Sequence, residues 1–266
     1  MKLKPVGSKR DLRLDDADAR ARGDVKSGQT LERATKKQID RISDLQRVLY
    51  ADSRYAILIV LQGRDASGKD GTIRKVFTAV NPQGCSVASF KAPTELEQRH
   101  DFLWRVHAVV PPKGMIGIFN RSHYEDILVP RVHGQLKKKQ WTERYRHINE
   151  FERMLAASGV VILKFLLHIS RDEQKARFQE RLADPDKNWK FRAGDLDDRK
   201  RWTQFTKAYR GILANTSTGW APWYVVPADD KDVRDWLIAR TIADAMSRLK
   251  LRYPPVDPDV VGIEIE

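Results

Sequence analysis

The sequence is short of cysteine: Cys85 stands alone, so no disulfide can form within the chain and a reducing compartment is expected. Long hydrophobic runs are also missing. The longest, Tyr55 to Leu61 and Val160 to Leu167, are strand-length and fall short of the roughly 18 residues that a membrane helix needs. No secretory signal is visible, so a soluble, cytoplasmic protein with no membrane partner is expected. His100 and His107 lie seven apart with no third ligand beside them, which argues against a transition-metal site. No Ser-His-Asp arrangement and no internal repeat stands out.

Basic residues, by contrast, are abundant. Among 266 residues, 49 Lys and Arg against 36 Asp and Glu leave a formal charge of +13, which favours a polyanionic partner: nucleic acid, a membrane surface or a phosphate chain. The length suits one sizeable α/β domain. Residues 1–30 carry few large apolar side chains and read as a basic arm, either mobile or draped over the surface. From Leu31, apolar positions at Ala34, Ile42, Leu45 and Leu49 mark an amphipathic helix. "YAILIVL", "CSVASF", "MIGIFN", "VVILKFLLHI" and "WYVVPA" read as five strands. Between them come helical stretches: one after the first strand, one over Thr94–Ala108 capped by Thr94, one through Ile127, one over Trp141–Ala157 stopped by Ser158-Gly159, and a last one over Asp232–Leu249. Strands alternating with helices predict a mostly parallel five-stranded sheet covered on both faces. The charged segment 171–205 predicts two helices joined by a turn, a lid, and residues 251–266 read as a tail.

The stretch "LQGRDASGKDGTIRK" follows a strand and opens a helix. That is the context in which Gly-x-x-x-x-Gly-Lys, from Gly63 through Gly68 to Lys69, acts as a phosphate cradle. Backbone N–H groups of Gly63, Arg64, Ala66, Ser67, Gly68 and Gly71 and the helix dipole would face an anion, with Lys69 adding a full charge. Asp70 stands where Ser or Thr normally ligates Mg²⁺. It reads as a cap of the helix start, and the metal ligand is sought in Asp65. The third strand ends in "FNRSHYED". There Asn120, Arg121, Glu125 and Asp126 lie where open α/β sheets bind ligands, and Arg121 suits a bidentate phosphate clamp. Glu125 and Asp126 could equally be acidic complements of a helix N-terminus. Lys91 and Arg105 are expected to face the same crevice. In the lid, Arg177 and Arg181 share a helix face and, with Lys187 and Lys190, would close over a phosphate chain, unless Glu173 and Glu180 pair with the arginines instead.

Taken in order, "GRDASGKDGT", "SFKAPT", "HDFLWR", "FNRSHYED", "RFQERLADPDKNWKF" and "APWYVVPADDK" resemble the polyphosphate kinase 2 family over about residues 31–250. The resemblance implies a three-layer P-loop kinase fold with a helical lid. It also implies transfer of phosphate from inorganic polyphosphate to nucleoside mono- and diphosphates (AMP, ADP), with Mg²⁺, or Mn²⁺ in its place. Asp65 would hold the metal and Lys69 the transferring phosphates, with Arg121 beside them. Lys91, Arg105, Asn120, Arg121, Glu125 and Asp126 would serve the nucleotide. Many family members carry Asp where this chain has Asn120, so no metal ligand is assigned there. The Asn form followed by "YED" looks like the class III branch, which accepts both acceptors. A homo-oligomer is expected, and no specific nucleic acid. Two rival readings are an ATP-dependent nucleotide or small-molecule kinase of the same fold and a basic P-loop protein that binds nucleic acid. The second needs base-stacking aromatics interleaved with Lys and Arg, whereas most aromatics here fall in strands or on apolar helix faces.

Overall fold

A computed structural model describes residues 1–7, 12–23, 25 and 27–263. Five strands, β1 (Ala56–Gly63), β2 (Cys85–Ser89), β3 (Ile116–Asn120), β4 (Val160–His168) and β5 (Trp223–Pro227), form one parallel sheet in the order β2-β3-β1-β4-β5. β1 is the middle strand, buried along its whole length. Its apolar run therefore serves two cores in alternation, as the two-residue period of a strand requires. Ile57, Ile59 and Leu61 pack on one face against α1 (Gly28–Asp52) and α10 (Lys231–Ser247), through Leu31, Ile39, Ile42, Leu49, Trp236 and Ile242. Leu58 and Val60 pack on the other face beneath α5 (Glu125–Val132), α6 (Lys138–Ala157) and α9 (Trp202–Thr216), through Ile127, Ile148, Leu155 and Ile212. Truncating one such residue, Ile59→Ala for example, costs about 2–5 kcal/mol.

One strand carries a charge into the interior. Lys164 of β4 and Glu152 of α6 are both 0 % exposed and pair at 2.5 Å. The ammonium also donates to the Tyr124 hydroxyl and to the Thr216 carbonyl, both at 2.8 Å, while Tyr124 in turn donates to Glu152 at 2.8 Å. Burial alone would raise the Glu152 carboxyl. Lys164 and His123 reverse that and hold it below its ordinary value.

Two sequence expectations change. The single helix expected over Thr94–Ala108 is two short ones, α3 (Glu95–Gln98) and α4 (Trp104–His107). Thr94 does cap the first, in a reciprocal pair with Glu97, but the Asp101 carboxylate accepts from the Leu103 backbone N–H and starts the chain afresh. The segment expected as a lid is α7 (Arg171–Ala183), a short 3₁₀ turn at Asn188–Lys190 and α8 (Ala193–Lys200), and it runs on into α9, a helix the sequence reading did not separate. The N-terminal arm is draped where it is described: Leu3, Leu14 and Ala19 are buried, the Val6 N–H donates to the Trp223 carbonyl at 2.8 Å, and the Asp229 N–H to Ala19 at 3.1 Å. Residues 8–11, 24 and 26 of that arm and 264–266 of the tail lie outside the described residues. Among the described residues no helix is long and apolar enough to cross a membrane.

Candidate active site

The carboxyl ends of β1, β3 and β4 meet at one edge of the sheet, and the loop from Gly63 to Gly68 occupies that edge before α2 (Lys69–Val76) begins. Two glycines there resist replacement. A Cβ on Gly63 would stand 2.7 Å from the Leu167 carbonyl oxygen, and one on Gly68, whose φ is +99°, would collide with the Arg234 guanidinium. Gly68 is the N-cap of α2.

Lys69 is 8 % exposed and folds back over the loop, donating to the carbonyls of Gly63 at 2.8 Å and Arg64 at 3.2 Å. Burial, and then the nearby Arg121 cation, pull its ammonium down to about 8, although Asp65, Glu125 and Asp70 all act to hold the proton on. Arg121 takes a left-handed backbone (φ +62°), fixed by its own N–H on the Leu61 carbonyl at 3.0 Å. Its guanidinium donates to Asp65 at 2.6 Å and lies 3.6 Å from Glu125. Burial raises the Glu125 carboxyl, and Arg121 and Lys69 oppose that rise. Four residues singled out in the sequence, Asp65, Lys69, Arg121 and Glu125, therefore come together in one charged group.

The pocket beside this group has an opposite wall made by Leu128 and Val129 of α5 and by Trp202, Phe205 and Tyr209 of α9. Arg64 crosses it. Its guanidinium stacks 3.8 Å above the Trp202 ring and donates to the Thr206 hydroxyl at 2.6 Å, and burial lowers it to about 10. The sequence reading gave Arg64 only a backbone role and missed the three aromatics. Their i, i+3, i+7 spacing is the one signal that could have located them. Asp198 of α8 lines the same space, and both it and Asp195 of α8 are raised chiefly by burial and further by Asp65.

The remaining expected residues lie outside this group. Asp70 is not the cap of α2; it sits in the first turn and accepts from Asn120 Nδ2 at 2.8 Å. Arg105 is 8 % exposed at its side chain and is engaged by Asp126 at 3.0 Å, Glu97 at 3.6 Å and the Lys91 carbonyl at 2.9 Å. Arg105 and Asp126 thus engage each other. Lys91 itself is exposed. Arg177 turns away from the pocket, with its guanidinium on the carbonyls of Ala66, Ala228 and Asp229 and on Glu173. The Glu173 pairing weighed in the sequence reading is thus present, four residues back along the helix. Arg181 is half-buried, with its guanidinium 5.9 Å from the Phe178 ring. Lys187 pairs with Glu180 at 3.1 Å and Asp184 at 2.8 Å, and Lys190 is exposed beside Trp189.

The donor set suits one kind of metal. Among the described residues no three His, Cys, Asp or Glu side chains gather into a protein-built cage. Asp65 offers one carboxylate at a phosphate loop, and Mg²⁺ is commonly bound through one or two carboxylates completed by substrate phosphates and water.

The chain is similar to known proteins along most of its length. The family model described as polyphosphate kinase 2 (PPK2) matches residues 25–253. An AMP/ADP-polyphosphate phosphotransferase of Meiothermus ruber is 53 % identical over 226 residues, 85 % of each chain. An ADP-polyphosphate phosphotransferase of Rhodopseudomonas palustris is 46 % identical over 83 % of this chain and 81 % of its own. The crystal structure of polyphosphate kinase 2 from Arthrobacter aurescens superposes with a TM-score of 0.90 at 37 % identity, covering 97 % of this chain and 96 % of that one. Matched by that family model over residues 25–253 and 53 % identical to the Meiothermus ruber relative, this protein belongs to the polyphosphate kinase 2 family.

Proposed function

We propose that the protein transfers the terminal phosphate of inorganic polyphosphate to nucleoside mono- and diphosphates, making ADP from AMP and ATP from ADP. The observation that carries this reading is the gathering of Asp65, Lys69, Arg121 and Glu125 on a phosphate loop, in a chain with a formal charge of +13. The breadth over AMP and ADP is supported by the Meiothermus ruber relative, whose name covers both.

Transfer asks for little covalent chemistry. A terminal oxygen of the acceptor phosphate, already ionised, attacks the terminal phosphorus of the chain. One P–O–P bond breaks, and the shortened polyphosphate leaves as an anion, so no strong general base is needed. Bound Mg²⁺ (or Mn²⁺), ligated by Asp65, would supply charge neutralisation between the two phosphates. Lys69, now resting on loop carbonyls, is placed to exchange them for phosphate oxygens. Arg121 offers a planar fork that matches a phosphate edge, and Arg181, Lys187 and Lys190 of the lid would add charge along the chain. Leu128, Val129 and the α9 aromatics exclude water from that side, which strengthens every charge interaction inside. A cytoplasmic site of action and a homo-oligomeric assembly belong to the same reading.

The test is direct: purified protein, Mg²⁺ and polyphosphate with AMP or ADP, with ADP and ATP resolved by chromatography. Both products should form, and Asp65→Asn should abolish nearly all turnover while leaving the fold intact. Transfer from ATP to another acceptor, with none from polyphosphate, would favour the ATP-dependent kinase. Polyphosphate inert and single-stranded RNA tightly bound would favour the nucleic-acid reading.

A further inference from the structure

Five consecutive carbonyls of the phosphate loop each accept a hydrogen bond from a side chain. Lys69 takes those of Gly63 and Arg64, at 2.8 and 3.2 Å. Gln174 Nε2 donates to the Asp65 carbonyl at 3.0 Å, Arg177 Nη1 to Ala66 at 2.9 Å and Arg234 Nη1 to Ser67 at 3.3 Å. Gln174, Arg177 and Arg234 are all buried, and none lies among the charged group described above. Arg177 is anchored on its far side by the Ala228 and Asp229 carbonyls, both at 2.8 Å, beyond the end of β5. Arg234 is gripped by both oxygens of Asp235, at 2.8 and 3.1 Å.

The loop needs such support. The Ser67 N–H donates to the Arg64 carbonyl at 3.1 Å and closes a four-residue turn, whose third residue, Ala66, has a φ of +63°. A positive φ at that place favours glycine, because a Cβ there crowds the backbone. The second residue of the same turn is Asp65, whose side chain is the proposed metal ligand, so the turn's conformation sets where that carboxylate stands. A carbonyl turned outward also turns the following N–H inward, since the peptide unit is planar and trans. The clamps on Asp65 and Ser67 thereby aim the N–H groups of Ala66 and Gly68.

We infer that Arg177, seconded by Gln174 and Arg234, is a positioning residue of the phosphate loop: it promotes transfer by holding the strained Asp65–Ala66 turn, not by touching the phosphate chain. This rests on the polyphosphate-kinase reading of the site, and it replaces the phosphate contact that its place on the lid helix suggests.

Salt dependence separates the two roles. A cation that neutralises a phosphate of a polyanion adds nearly one unit to the slope of log affinity against log salt, and a residue that only holds the loop adds nothing. Full-length wild type, Arg177→Gln, Gln174→Met and Arg181→Gln are compared for kcat, apparent polyphosphate affinity over a salt series, and melting temperature. Arg177→Gln should lose at least tenfold in kcat with a wild-type salt slope. Gln174→Met, which keeps the volume but loses both the donor to the Asp65 carbonyl and the acceptor of Arg199 Nη1, should lose a few-fold in kcat with a melting temperature lowered by only a few degrees, which keeps the test decisive if Arg177→Gln folds poorly. Arg181→Gln should lower the slope. A slope lowered in Arg177→Gln as in Arg181→Gln, or kcat within twofold of wild type in both folded Arg177 and Gln174 variants, overturns the inference. Wild type inert with polyphosphate would instead overturn the functional reading, and this inference with it.

Discussion

Replacing Glu152 with leucine removes one half of an ion pair that the fold keeps wholly out of water. Lys164 would retain the Thr216 carbonyl and the Tyr124 hydroxyl, both 2.8 Å away, but lose the carboxylate that balances its charge. Tyr124 would lose the acceptor of its own O–H. Removing one partner of a buried pair costs about 3–5 kcal/mol, because the desolvated charge left behind has nothing to balance it. For a chain of this size, each kcal/mol moves the melting temperature by roughly 2–4 °C, so Glu152→Leu should melt about 6–20 °C lower. The double variant Lys164→Met/Glu152→Leu removes both charges and keeps the volume. It should regain most of that loss, since apolar replacements of whole buried pairs are commonly neutral or better. Urea titration and calorimetry of the four species close a double-mutant cycle. A single variant within about 1 kcal/mol of wild type, or a double variant no more stable than the single, would refute the reasoning.

Lys69 sets a pH dependence. Its ammonium in the folded protein is depressed to about 8 from 10.5, chiefly by burial. Between those values the unfolded chain holds a proton that the native state has released, so this group makes stability rise with pH from about 8 to 10.5. Phosphate binding should move the other way, weakening above about pH 8 as the charge is lost, and Lys69→Arg should flatten that fall in a binding titration. Apparent polyphosphate affinity should drop steeply with added salt, and a flat response would point to a small neutral substrate. The Asp70–Asn120 contact predicts that Asn120→Asp, which sets a carboxylate against Asp70, lowers turnover at least severalfold, and that Asp70→Asn in the same chain recovers part of it. Simple additivity of the two substitutions would show that the contact does not matter.

The strands were legible because each is an apolar run bounded by turn residues, and the phosphate loop because its glycines and lysine keep fixed spacing between a strand and a helix. What the sequence concealed was the destination of long charged side chains. Arg177 and Arg181 share a helix face four residues apart, yet the first runs beneath the phosphate loop to three carbonyls while the second is half-buried beside Phe178. Helix periodicity gives the direction a side chain leaves the backbone and not the acceptor it meets. Arg105 and Asp126 satisfied each other for the same reason. Lys164 did carry a signal, since a charge inside a strand buried on both faces requires a partner. Only the fold identifies that partner as Glu152, twelve residues earlier on a different element.

The stacking of Arg64 on Trp202 gives the loop an optical handle. The indole of Trp202 faces a guanidinium at 3.8 Å, and that guanidinium belongs to the residue next to Gly63, so the ring's electrostatic surroundings are fixed by the state of the loop itself. An indole's emission maximum and yield shift with the field of a nearby charge. A ligand that draws Arg64 off the ring should therefore change the emission of Trp202, one of seven tryptophans, and stopped-flow traces of wild type against Trp202→Phe isolate that change.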